Sequence, residues 1–217
     1  MIPTACPWNS TSNMVRPENH KEEAPLAHYG AQFAERDPEE ILRRLNTLLW
    51  NGEEFYVNLL GREYAISHPE AAFRATEGGK EPTAATRIFL LRYLLEGQQV
   101  ARRGEWKTFR EMPWGETYQV PFSGRILSRA AFTFGTRIDA FRAACEKLDG
   151  RPVEKGDGGY EFPFLDNYAL RILIWQGDEE FPPSAQILYS DNFAVGFTAE
   201  DRVIAAELLI GAIKENM

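Results

Sequence analysis

The stretch "WQGDEEFPPSAQILYSDN", Trp175 to Asn192, sets three adjacent carboxylates between an apolar run and a double proline. Neighbouring carboxylates repel one another. A cluster such as Asp178, Glu179 and Glu180 therefore suits a cation, a basic partner, or a carboxyl that keeps its proton for transfer. Pro182 and Pro183 fix the backbone and donate no hydrogen bond, so the segment is stiff and extended, with Trp175 and Ser184 at its ends. The same residues also fit a solvated turn in which the prolines end a strand.

A second candidate is "GEWKTFREMPWGETYQVPF", Gly104 to Phe122. Trp106, Phe109, Trp114, Tyr118 and Phe122, interleaved with Arg110 and Glu111, have the composition of a ligand pocket, or of a loop pinned to the core by its rings. The binding residues expected from the two segments are Trp106, Arg110, Glu111, Tyr118, Trp175, Asp178, Glu179, Glu180 and Ser184. Aromatic and basic residues in alternation also suit single-stranded nucleic acid. A net charge of −8 argues against that, because phosphate binding calls for a basic stripe.

Other familiar chemistries are missing. There is no Walker loop, no GxGxxG after a strand, no GxSxG elbow and no HExxH. The "KGDGG" of Lys155–Gly159 joins two strands rather than a strand and a helix, so it reads as a hairpin turn and not a phosphate cradle. Cys6 and Cys145 with His20, His28 and His68 form no pair at zinc-ligand spacing, and two cysteines cannot hold a four-cysteine cluster. No cofactor and no metal site follow from the sequence. Cys145 falls on one helical face with Phe141 and Leu148 and reads as a small buried hydrophobe.

The elements that must position these residues follow from periodicity. Residues 1–27, rich in Pro, Ser, Thr, Asn and charge, read as a flexible tail ahead of a single domain over 28–217. Asp37-Pro38-Glu39-Glu40 opens a helix that the apolar stripe carries to Asn51-Gly52. Phe55, Val57 and Leu59, then Tyr64 and Ile66 beyond Gly61-Arg62, predict a β-hairpin. A central helix follows from Thr83 to Leu95, with Arg92 expected to snorkel. Pro113 and Gly115 interrupt the aromatic segment. Helices are expected over 123–134 and 137–148, a strand pair around the Gly-rich turn, and a strand buried on both faces in "YALRILIW". Thr198–Asp201 forms a capping box for the last helix, whose stripe includes Val203, Ile204, Leu208, Ile210 and Ile213. Without regular β-α alternation, the fold class is α+β: a mixed, mostly antiparallel sheet under about four to five helices.

A chain of 217 residues with 44% hydrophobic and 26% charged residues matches a globular protein with one sizeable core. No run of eighteen apolar residues spans a membrane, and the first residues lack a signal-peptide pattern, so a cytoplasmic location is expected.

Four segments, "FYVNLLGREYAIS", "LLRYLLEG", "GEWKTFREMPWGETYQVPF" and "WQGDEEFPPSAQILYSD", together resemble domain-of-unknown-function family 3786 of anaerobic bacteria and archaea. The resemblance covers roughly residues 40 to 215. It implies a role in anaerobic metabolism and an iron–sulfur or corrinoid protein partner, since similar domains are associated with a small four-cysteine iron–sulfur domain. It carries over no catalytic residue. The leading expectation is an accessory module that binds a ligand or partner, with the aromatic segment as pocket and the acids at its rim. The alternative is a carboxylate-dependent enzyme using Glu111, Asp178, Glu179 or Glu180 with a divalent cation. A third is a purely structural subunit, which would expose a large apolar patch.

Overall fold

A computed structural model describes residues 20–217, with the side chains of His20 and Lys21 left aside. Residues 1–19, most of the expected tail and Cys6 with it, lie outside the described residues. Residues 20–27 begin a helix, α1 (His20–Glu35), which packs on the central helix α3 (Ala84–Glu96). Between them lies α2 (Pro38–Arg44), started as expected by Asp37, whose side chain accepts from the Glu39 amide at 3.0 Å. It stops well before Asn51, and Leu49–Trp50 form the short strand β1 instead. There Trp50 packs on Phe55 with ring centroids 4.3 Å apart. Aromatic packing on the sheet thus overrides the helical stripe. Arg44 of α2 caps α3, donating to the carbonyls of Leu94 and Gly97.

The expected hairpin is β2 (Glu54–Leu59) and β3 (Arg62–Ser67), in register from Glu54 opposite Ser67 to Leu59 opposite Arg62. β4 (Phe73–Ala75) adds an edge strand to β3. The other half of the sheet is built from β5 (Trp106–Thr108), β6 (Arg151–Pro152), β7 (Gly158–Leu165), β8 (Tyr168–Trp175) and β9 (Ser184–Ser190). The strand order is β4-β3-β2-β7-β8-β9-β5, with β1 on β2 and β6 on β7, and each of these pairings is antiparallel. The halves meet at one register pair, Leu59 opposite Leu165, beside a Leu60 amide that donates to Phe164 O at 2.8 Å.

The fold class is α+β, with the helices layered on one face. Register puts Tyr160, Phe162, Phe164, Leu170, Ile172, Ile174, Ile187 and Tyr189 on that face, and all are buried. Phe134 and Phe141 cover them from α5 (Ser128–Phe134) and α6 (Ile138–Lys147). Phe193 and Phe197 add to the cover from α7 (Phe193–Gly196) and its C-cap. Cys145 is fully buried there, and burial pushes its thiol well above the ordinary range.

The helices are more numerous than the four to five expected. The segment broken on paper by Pro113 and Gly115 is edge strand β5, a 3₁₀ turn over Phe109–Glu111, and helix α4 (Gly115–Phe122). Pro121 has no amide hydrogen. Just after it the ladder widens to a π turn over Ser123–Leu127, closed by the Ser128 amide on Ser123 O, and then runs on as α5. The last helix, α8 (Ala199–Glu215), has the capping box read from Thr198 and Asp201. Its core face carries Ala205, Ala206, Leu209, Ile210 and Ile213. Val203, Ile204 and Leu208 of the expected stripe are only half-buried, so the helix is apolar on more faces than the sheet can cover.

Candidate functional site

Helix α4 gives the site its aromatic wall. Trp114 precedes it in the left-handed conformation, φ 64° and ψ −3°, costly for so bulky a residue. Gly115 follows because a Cβ there would collide with the Phe109 carbonyl. This tight entry leaves Trp114 73% exposed and Tyr118, one turn on, 51% exposed. Behind them Phe109 and Phe122 stack with centroids 4.1 Å apart and planes 4° from parallel, so the wall is backed by rigid packing.

The opposite wall is the start of α8, with Thr198, Ala199, Glu200, Val203 and Ile204, and the groove between them has a volume of about 740 Å³. Arg92 of α3 lies at its base. The Arg92 side chain is 12% exposed and does not snorkel. Its Nε donates to Asp201 Oδ1 at 2.6 Å and Nη2 to Oδ2 at 3.1 Å, while Nη1 reaches the Tyr29 hydroxyl at 2.6 Å. Burial works against the cation, but the Asp201 hydrogen bonds and charge outweigh it and leave the guanidinium above its ordinary value. Asp201 Oδ2 also accepts from the Thr198 amide at 3.2 Å and its hydroxyl at 2.6 Å, so one carboxylate caps α8 and ties it to α3.

A second cavity of about 420 Å³ adjoins the groove and shares Arg92, Trp114, Thr198 and Ala199 with it. Gln98, Pro113, Gly196 and Arg202 are among its other walls. Trp114 stands between an apolar trough and a recess that is more polar than the trough, a layout that can seat a molecule with one apolar and one polar end.

Of the residues expected from sequence, Tyr118 lines the groove, together with Phe109, Trp114 and Phe122 of the same segment. Arg110 forms an exposed ion pair with Glu116 at 3.1 Å. Glu111 closes the 3₁₀ turn, accepting from the Thr108 amide and hydroxyl at 2.7 Å each, bonds that hold its carboxyl below the usual range. Trp106 faces the other side of the sheet, with the Arg171 guanidinium 4.0 Å and that of Arg102 5.1 Å from its ring. Trp175 and Ser184 are register partners on that same face. Asp178 organises the β8–β9 connection: its Oδ1 accepts from the amides of Glu180 at 2.8 Å and Phe181 at 2.7 Å, which keep its carboxyl below the usual range. Glu179 and Glu180 are exposed on that turn. Neither Glu111 nor the 178–180 run lines the groove. Among the described residues no group of three or more His, Cys, Asp or Glu side chains converges as a metal cage would require.

Sequence reasoning missed Arg92, Asp201 and Arg202 as site residues. The capping box had drawn attention to Asp201, but its pairing with Arg92 joins residues far apart in the chain, and no local signal announces that.

A protein-family profile, Domain of unknown function (DUF3786), matches residues 37–212, well over half of the chain. The chain belongs to the DUF3786 family. The matched span takes in the whole groove, the Arg92–Asp201 pair and the β8–β9 connection. No curated protein and no solved structure matches the chain. Among the described residues no helix is long and apolar enough to cross a membrane. For this DUF3786 member, function is argued from the groove itself.

Proposed function

We propose that this DUF3786 chain is an accessory binding module that holds a ligand in the groove between α4 and α8. The observation that carries the reading is Trp114. A large aromatic is held exposed, in a strained backbone conformation, over a groove whose base is an ion pair shielded from water. Exposed aromatics along a mainly apolar groove are costly to keep in water and contribute most where a ligand covers them. A volume of about 740 Å³ is that of a small-molecule site. In the wider setting, the module works in anaerobic metabolism beside an iron–sulfur or corrinoid protein, the partner implied by the family resemblance. The carboxylates needed by the enzyme alternative, Glu111 and Asp178–Glu180, do not gather at the groove, and Glu111 and Asp178 are held in the ionised form by local amides.

Native mass spectrometry on protein purified anaerobically from its own host tests the reading. The expected result is a stoichiometric small-molecule adduct that is lost from Trp114→Gly and Tyr118→Ala variants. An adduct retained by both variants places the ligand elsewhere and overturns the groove assignment.

A further inference from the structure

The smaller cavity is lined by a cation that has no ion-pair partner among the described residues. Arg202 is 1% exposed, among the largest fully buried side chains of the protein. Its Nε donates to Thr198 O at 3.2 Å, its Nη2 donates to the carbonyl of Pro113, and its guanidinium lies 5.6 Å from the Phe109 ring centroid. Among the described residues Nη1, also buried, has no acceptor and Arg202 has no ion-pair partner. Burial pulls the guanidinium below its ordinary value, with Tyr189 and Asp201 acting weakly the other way. A buried charge lacking both a counter-ion and one of its hydrogen bonds is costly, and proteins keep such groups where something else completes them.

The surroundings say what would complete it. Arg202 and Pro113 line the cavity, and so do Thr198 and Ala199 at the start of the 17-residue helix α8. The helix's four leading amides lie at this end with their positive dipole, and the Thr198 amide goes to Asp201 Oδ2. The Asp201 amide goes to Thr198 Oγ1, but those of Ala199 and Glu200 have no acceptor among the described residues. Three carboxylates stand nearby. Asp201 is taken up by Arg92 and Thr198, Glu200 pairs with Arg92 at 3.5 Å, and Glu96 is an exposed residue of the cavity wall. An anion here would lie against Arg202, whose Nη1 is unpaired, and against Ala199, whose amide is free, with the free amide of Glu200 next to it on the groove side and the nearest carboxylates already paired with Arg92.

We propose that the cavity between Pro113 and the start of α8 is an oxyanion subsite, in which Arg202 and the first amides of α8 bind a carboxylate or phosphate. The proposal rests on the groove reading for the rest of the molecule: the apolar body lies along Trp114 and Tyr118, and the anionic end turns past Trp114 toward Arg202. The ligand class is then an amphiphilic organic acid or phosphate ester.

The test is a titration of the full chain with phenylacetate, phenyl phosphate and neutral phenylacetamide, followed by ¹H–¹⁵N NMR. At least one anion should bind ten times or more tighter than the amide, shifting the Ala199 and Glu200 amides and the Trp114 indole. The tighter of the two anions distinguishes carboxylate from phosphate. Arg202→Met should abolish the preference for charge. Because that variant removes a buried side chain, Ala199→Pro provides a second route. Proline suits the first helical position, so the helix survives while one donor is removed. It should weaken the anions several-fold and leave the amide unchanged. Equal binding of anions and amide, all weakened by Trp114→Gly, overturns the subsite and leaves the groove reading standing. A charge preference untouched by Trp114→Gly does the reverse. No saturable binding of either anion at millimolar concentration overturns the subsite.

Discussion

Trp114 on one wall of the groove and Asp201, bound to Arg92 at its base, make opposite demands on stability. A tryptophan at φ 64° is strained, while its ring, 73% exposed, gains little from packing. Glycine at this position removes the strain, so Trp114→Gly should raise stability by about 1 kcal/mol in urea unfolding while ligand binding is lost. A fall in stability of similar size would mean that the ring is a structural peg. Asp201 behaves the other way. Its two oxygens serve the Arg92 guanidinium and the Thr198 cap together. Asp201→Asn leaves the buried arginine with only the exposed Glu200, 3.5 Å away, as a charge partner and should cost about 3 kcal/mol. Arg92→Met with Asp201→Asn removes both charges and should recover part of that loss in a double-mutant cycle. Strict additivity would mean that the pair does not act as a unit.

Among the elements, α7 is short, but it sets how closely β8 approaches the loop after α3. Gly196 lies against the Tyr168 hydroxyl, which donates to the Gln98 carbonyl, and a Cβ on residue 196 would occupy the position of that hydroxyl. Gly196→Ala should therefore cost about 2–3 kcal/mol by overpacking and by displacing a buried hydrogen bond. In a Tyr168→Phe background Gly196→Ala should cost less than it does alone, though not nothing, since ring atoms Cζ and Cε1 lie 2.6 and 2.9 Å from that Cβ, and an unchanged penalty would place the clash elsewhere. Long-range closeness of this kind is what the sequence hides. The β2–β3 hairpin and β8 were legible because their periodicity and turn residues are local. The Thr198 cap was legible for the same reason. Helix α4 was not: it starts from a left-handed tryptophan with no capping side chain and contains Pro121, so its local signals point away from a helix. β5 and β9 pair across more than 75 residues, as Trp106 opposite Ser190 shows, and three residues are too few for an alternation to register. The acids of 178–180 drew attention by composition. Their chemistry is largely the turn geometry of Asp178. The groove was half legible, since its aromatic wall lies in one segment while its charged base comes from α3 and α8.

At the scale of the whole molecule, the protein is a single antiparallel sheet with one heavily aromatic layer between it and the helices, and phenols are part of that layer. Tyr93, Tyr168 and Tyr189 are buried to within 1% of full coverage. Burial raises all three well above their ordinary value near 10, reinforced for Tyr93 and Tyr168 by the Asp166 carboxylate and opposed for Tyr189 by Arg202. The sign follows from proton counting. Below pH 10 both folded and unfolded chains hold these protons, so the full contribution to stability is present. Above it the unfolded chain releases them while the folded chain does not. Stability then falls by up to about 1.4 kcal/mol per pH unit for each phenol. Set against a typical total of about 5–15 kcal/mol, three such groups are enough to unfold the domain within roughly two or three units. Thermal stability should thus be nearly flat up to pH 9 and collapse above pH 10. The phenolate absorbance of these three rings should appear in one step with the loss of circular dichroism. Phenolate formation that runs to completion while the dichroism is still native would show that the phenols are reached by solvent without unfolding, and the aromatic layer would then have to be far looser than its ring contacts imply.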